Sequence, residues 1–223
     1  MQYKNVKLLI VPLFCIGLSG LNGQTVRDID GNVYQTVKIG TQFWMVENLR
    51  TTKYHNGDTI KTTSPASFDI SGEIMPEFQW AYDGNESNVE TYGRLYTWYA
   101  ATDSRNICPT GWHVPSDEEW STLTKYLAGE YVAGGKLKET GTAHWKNPNK
   151  GADNESGFTA LGGGYRYGNG TFFDIGGTGN WWSSTEASRD NAFCYTIYNY
   201  LISVYRHSGK KTNDLSVRCV RDN

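Results

Sequence analysis

Apolar and polar positions along this chain fall into segments with different rhythms. The longest apolar run, residues 8–18, is interrupted at Pro12, follows Lys4 and Lys7, and gives way to Leu21-Asn22-Gly23. A positive start, an apolar stretch short of bilayer length and small residues at its end form the pattern of a secretory signal peptide, predicted over 1–23. Cys15 follows Phe14, so the small residue that precedes a lipid-modified cysteine is missing. Beyond the leader, 33–39 alternates strand-forming residues, Gly40-Thr41 breaks the run and 42–46 resumes it, which predicts a β-hairpin. Residues 50–90 are polar and irregular, punctuated by Gly57, Pro65, Gly72, Pro76 and Gly84. Residues 92–101 place Leu95, Trp98 and Tyr99 at helical spacing and predict a helix. A second helix is predicted after Pro115. Ser116 caps it, Glu119 completes a capping box, Trp120, Leu123 and Leu127 share one face, and Gly129 ends it. From Gly157 onward, short aromatic stretches alternate with glycine at 158–161, 165–167, 171–175, 180–184, 192–198, 201–205 and 215–220. That cadence predicts a strand-and-loop region of four to six strands.

These elements describe an α+β domain, two or more helices with a loop-rich antiparallel β region, and residues 24–223 suffice for one such domain. Composition sharpens the picture. The 23 residues of the leader hold Lys4 and Lys7 and no acid, so 19 basic and 23 acidic side chains remain in the 200 residues that follow, a net charge near −4. Nucleic acid is not the partner such a balance suggests. No later segment approaches membrane length. All eight tryptophans and 14 of the 15 tyrosines lie beyond the leader.

Candidate chemistry is sparse. Asp28-Ile29-Asp30-Gly31-Asn32 and Asp83-Gly84-Asn85-Glu86-Ser87 carry oxygen ligands suited to calcium, but the closing glutamate of a complete loop is absent, and Asx-type turns account for both. Glu118 and Glu119 resemble an acid/base pair and are explained by capping. Gly162-Gly163-Gly164 lacks the Lys-Ser/Thr of a phosphate loop and reads as a strand bend. His55, His113, His144 and His207 show no zinc spacing, and no Gly-x-Ser-x-Gly elbow occurs. A non-enzymatic protein without cofactor is therefore expected. Of Cys108, Cys194 and Cys219, an oxidising compartment pairs two and leaves one, and spacing does not choose which. Trp181 and Trp182, adjacent on one predicted strand, point to opposite faces, so one is expected in the core and the other is a candidate for ligand contact.

Asp30-Gly31-Asn32-Val33-Tyr34, the segment from Ile39 to Leu49 (IGTQFWMVENL) and Tyr92-Gly93-Arg94-Leu95-Tyr96 resemble the Fibrobacter succinogenes major paralogous domain family. So do Cys108-Pro109-Thr110-Gly111-Trp112-His113-Val114-Pro115-Ser116, Gly157-Phe158, Trp181-Trp182-Ser183-Ser184-Thr185 and Ser216-Val217-Arg218-Cys219-Val220, across about residues 26–222. The resemblance implies a C-type-lectin-like fold, a place in secreted or surface proteins of bacteria, a Cys108–Cys219 bridge and no generally established activity. Gly111-Trp112 through Ser116 and Arg218-Cys219-Val220 are also similar to the formylglycine-generating enzyme family. Its pair of active-site cysteines is not matched once Cys108 and Cys219 are bridged. The calcium signature of sugar-binding lectins is echoed only by Asn147-Pro148-Asn149. The expected function is a recognition module for a surface glycan or protein, its contacts drawn from Trp182, Asn191, Tyr195, Tyr198, Asn199, Tyr200 and Tyr205, a mixture of adaptable polar and aromatic groups. The alternatives are an extracellular enzyme acting through Cys194, or a structural subunit of an adhesive surface assembly.

Overall fold

A computed structural model describes residues 24–222. The signal-peptide reading of 1–23 and the question of Cys15 lie outside the described residues. The chain builds an α+β architecture dominated by two curled sheets. In order, the strands are β1 Thr25–Arg27, β2 Val33–Ile39, β3 Gln42–Met45, β4 Gln79–Trp80, β5 Leu95–Thr97, β6 Trp112–His113, β7 Tyr165–Arg166, β8 Phe172–Phe173, β9 Thr178–Glu186, β10 Asn191–Tyr198, β11 Val204–Lys210, β12 Asp214–Ser216 and β13 Val220–Arg221. The helices are α1 Val89–Tyr92, α2 Trp98–Ala101, α3 Asp117–Tyr126 and α4 Glu130–Leu137. One sheet runs β1-β2-β3-β13-β6, so the last strand lies between the first hairpin and the segment before α3. The other runs β11-β10-β9-β12-β5-β4, with the β7–β8 hairpin joined to β12.

The β2–β3 hairpin and α3 form as the sequence predicts. Ser116 Oγ accepts from the backbone NH of Glu119, and the Glu119 carboxylate accepts in return from the Ser116 NH, completing the capping box. Trp120, Leu123 and Leu127 are all buried on the inner face. Glu119 has a second task. His113 places Nε2 2.8 Å from Glu119 and Nδ1 2.5 Å from Asp222, which ties the head of α3 to the end of the chain. The hydrogen bond to Glu119, with that to Asp222, raises the His113 pKa to about 9.

The predicted helix over 92–101 is instead a strand between two short helices. Gly93, at φ 76°, ends α1, and residues 95–97 pair with β12 and β4. Thr97 Oγ1 then accepts from the Ala100 NH and caps α2. Leu95 and Trp98 are buried at helical spacing by a strand followed by a turn of helix, an arrangement that periodicity alone does not separate from a continuous helix. Conversely, α4 carries no sequence signal because Gly134 and Gly135 lower its propensity. A Cβ at Gly134 would lie 2.4 Å from the Ser203 carbonyl oxygen, and the missing side chain is what lets the helix approach β11.

Two hydrophobic clusters flank the β9–β10 pair. Trp182, Ala192 and Cys194 belong to the one that includes Tyr96, Trp98, Cys108 and Cys219. Trp181, Tyr195 and Ile197 belong to the one that includes Trp44, Trp120, Trp145 and Phe158. Neighbouring residues of a strand alternate between these clusters, as a period of two requires. Trp181 and Trp182 are thus both fully buried, because this part of the sheet is covered on both faces. Each indole NH keeps a partner: Trp181 donates to Asn48 Oδ1 at 2.8 Å and Trp182 to the Tyr96 carbonyl at 2.8 Å. Cys108 and Cys219 form a disulfide, leaving Cys194 buried and unpaired, as the family resemblance implies. Gly162-Gly163-Gly164 is a close backbone passage. A Cβ at Gly164 would meet the Phe173 carbonyl oxygen at 2.5 Å. Among the described residues, no helix is long and apolar enough to cross a membrane.

Candidate ligand-binding cleft

The face of β9 and β10 that carries Trp182 and Cys194 is not covered along its whole length. Register pairs Cys194 with Trp182, Thr196 with Asn180 and Tyr198 with Thr178. Beyond the first of these pairs the hydrophobic cover stops, and the surface opens into a cleft of about 680 Å³. Asn180, Thr196 and His207 line its floor, with Cys194 at the edge of the packed region. Tyr198 lines one side. Tyr165, Tyr167, Phe173 and Asp174 of the β7–β8 hairpin and its following loop form the opposite wall, and Asn191 and Lys210 complete the lining.

The hairpin wall is anchored from behind. Alternation sends Tyr165 and Tyr167 toward the cleft and Arg166 inward, where both it and Asp214 are fully buried. The Arg166 guanidinium donates to Asp214 Oδ2 at 2.8 Å and to the Ala66 carbonyl at 3.0 Å, and it stacks on Trp80 at 3.9 Å. Tyr165 and Tyr167 meet edge to face at 4.9 Å, with their hydroxyls 2.9 Å apart. Burial and the neighbouring hydroxyl raise the pKa of Tyr165, so its hydroxyl stays protonated.

The other wall is held by Lys138. This buried ammonium donates to the carbonyls of Lys150 at 2.8 Å, Tyr198 at 3.2 Å and Leu201 at 2.8 Å, fixing the chain as it leaves β10. Burial lowers its pKa to about 8. Asn199 closes the same corner, its amide donating to the Lys146 and Asn147 carbonyls at 3.2 Å each. Asn149 turns its amide inward to the carbonyls of Glu139 and Gly141. Residues 147–149 thus serve as a braced corner.

The seven residues drawn from 180–205 do not form one surface. Asn191 and Tyr198 line the cleft. Tyr200 and Tyr205 are exposed and pack against Tyr198 at 5.3 and 5.6 Å, just outside it. Trp182, Tyr195 and Asn199 are buried and present no face to a ligand, which corrects their candidacy. Tyr195 stacks on Trp120 at 4.8 Å and donates to Asp117 Oδ1 at 2.8 Å, and Trp182 fills the opposite core. The sequence reading omitted Tyr165, Tyr167 and His207 of the cleft lining, and Asn180 and Thr196, which line it from a buried position. Their signal was available as period-two alternation: Tyr165 with Tyr167, and Thr196 with Tyr198, each lie two apart on one face.

Cys194 lies at the cleft, but burial pushes its thiol up to about 12, the opposite of an activated thiolate. At the first acidic turn, read as an Asx turn, the carboxylates are internally engaged, and in the second Glu86 accepts from Arg94. Asp28 accepts from the NH groups of Asp30 and Asn32 and from the Tyr34 hydroxyl, and Asp30 from Thr52.

A family model described as the Fibrobacter succinogenes major domain matches residues 37–221. No curated protein matches the chain.

Proposed function

The chain belongs to the Fibrobacter succinogenes major domain family, and on that premise we propose that it is a secreted or surface-displayed bacterial recognition module that takes an extracellular glycan into the tyrosine-walled cleft. The observation carrying this reading is the lining: phenol rings on both sides, with amide, hydroxyl and imidazole groups between them. Rings offer flat apolar faces to the C–H face of a sugar, and polar groups at the floor set its orientation. The leader-like pattern of 1–23 and the Cys108–Cys219 bridge support export, since such bridges persist in oxidising compartments. The curled sheets, the capped helix and the final strand paired beside the first hairpin support a C-type-lectin-like reading of the fold. Binding is favoured over catalysis because the one free thiol among the described residues, Cys194, is buried and protonated.

A glycan array probed with the purified protein, once with calcium and once with chelator, tests this. Signals in both conditions that vanish in Tyr167→Ala support the cleft. Signals lost with chelator transfer the site to a cation, and a blank array from folded protein removes the glycan reading. A second reading, subunit of an adhesive assembly, draws on Tyr131, Tyr200, Ile202 and Tyr205, exposed on or beside the edge strand β11. Concentration-dependent association in light scattering would favour it.

A further inference from the structure

Resting on the cleft reading above, we propose that the ligand is an uncharged saccharide and that neutral His207 holds it by accepting a hydrogen bond from a sugar hydroxyl, so that binding weakens on acidification. The polarity of the hydrogen bonds behind His207 assigns its tautomer. Asn180 Nδ2 donates to the Gly164 carbonyl at 3.2 Å, and a carbonyl only accepts, so Asn180 Oδ1 faces Thr196. The Thr196 hydroxyl gives its proton to that oxygen at 2.7 Å. Its remaining lone pairs must then receive from His207 Nε2, 2.8 Å away. The proton of the neutral ring therefore sits on Nε2, and Nδ1 is left as an acceptor; the Cys194 thiol lies across the ring edge, 3.5 Å from Nε2 and 3.6 Å from Nδ1, and the Ser208 backbone also bonds the ring. Asn180 and Thr196 are already engaged with one another and are positioning residues. His207 is the floor group with a strong open valence.

The surroundings keep the ring neutral and the site uncharged. Contact with Cys194 and Thr196 partly buries the ring, which lowers the His207 pKa below its ordinary value. Across on β10, the Cys194 thiol is pushed up to about 12 and stays protonated. The phenols of Tyr165 and Tyr198 are raised as well. On the hairpin side, Asp174 is paired with Lys146 at 3.1 Å. On β11 itself, Arg206 turns to the other face and pairs with Asp117 at 2.7 Å, and Lys210 stands exposed at the rim. Among the described residues no carboxylate acts on the ring, and the backbone hydrogen bond to Ser208, which favours the charged form, is outweighed by burial. An incoming anion would meet no buried cation at the floor, whereas a hydroxyl finds the Nδ1 acceptor and two aromatic walls.

The test uses immobilised neutral oligosaccharides (hexose and N-acetylhexosamine polymers) beside acidic ones carrying uronic or sialic acid, read from pH 7.5 to 5. The expected result is binding to the neutral set, weakening about tenfold on acidification, the order of one hydrogen bond lost. His207→Gln should bind more weakly at pH 7.5 and show a flat pH profile, and nitrogen-15 spectra should place the wild-type proton on Nε2. Dominant binding to acidic glycans, a wild-type profile matched by His207→Gln, or a proton on Nδ1 overturns the proposal. If Tyr167→Ala abolishes neutral-glycan binding while the pH profile is flat, the His207 assignment falls and the cleft reading stands. If folded wild-type protein binds neither neutral nor acidic glycans, both fall.

Discussion

Two successive same-face rungs of the β9–β10 ladder, with the Trp181–Tyr195 pair between them turned to the other side, make opposite uses of one sheet face. At the Trp182–Cys194 rung the side chains are fully enclosed by Tyr96, Trp98 and the disulfide region. At the next same-face rung, Asn180 and Thr196 face the cleft and satisfy each other at 2.7 Å. The first rung contributes stability through apolar area removed from water. The second keeps its buried polar atoms bonded to each other and to His207, so the floor of the cleft holds its shape. The proposed binding surface is thus the place where the core's own face loses its apolar cover.

That contrast can be broken from both ends. Arg166→Met leaves the fully buried Asp214 carboxyl, whose pKa burial already raises, without its partner and should cost about 3–5 kcal/mol in urea unfolding at pH 7, with Arg166→Met/Asp214→Leu recovering much of it. Trp182→Ala, at the enclosed rung, should cost about the same, roughly 3–5 kcal/mol, by emptying a buried site. His113 sharpens the comparison from outside the sheet. Its folded pKa of about 9 lies above the ordinary 6.5, so the stabilisation is complete below pH 6.5 and is lost as pH rises through 9. The side chain is 39% exposed and its pair is screened, so the difference between wild type and His113→Gln should be on the order of 1 kcal/mol at pH 6 and vanish by pH 10. Tyr167→Ala, on the open wall, should shift stability by only about 0.5 kcal/mol in the same melts while removing glycan capture. A large stability loss there would mean that the wall is core and the cleft reading is wrong.

Much of the fold was legible because local chemistry and tertiary context agree. The capping box at Ser116 and Glu119 and the break at Gly40-Thr41 each describe what forms; the aromatic cadence after Gly157 marks a strand region, but one of seven strands where four to six were expected, with none at 158–161. Where they disagree, packing decides. Residues 95–97 become a strand because β12 and β4 supply partners, and α4 forms despite two glycines because those glycines admit the Ser203 backbone. The site was only half legible. Tyrosine and asparagine density over 191–205 led to strands that line the cleft, but density does not report which side of a strand is covered. Trp182 stands two positions from Asn180 and Tyr195 one from Thr196, yet both are core because the disulfide region and the second cluster lie over them.

The placement of β13 has a kinetic consequence. This strand lies between β3 and β6, and Cys219 just before it reaches back to Cys108, so neither the five-stranded sheet nor the bridge can be completed until the chain is present through Arg221. The chain therefore closes this sheet late, by pairing across its whole described length, which favours slow acquisition of structure.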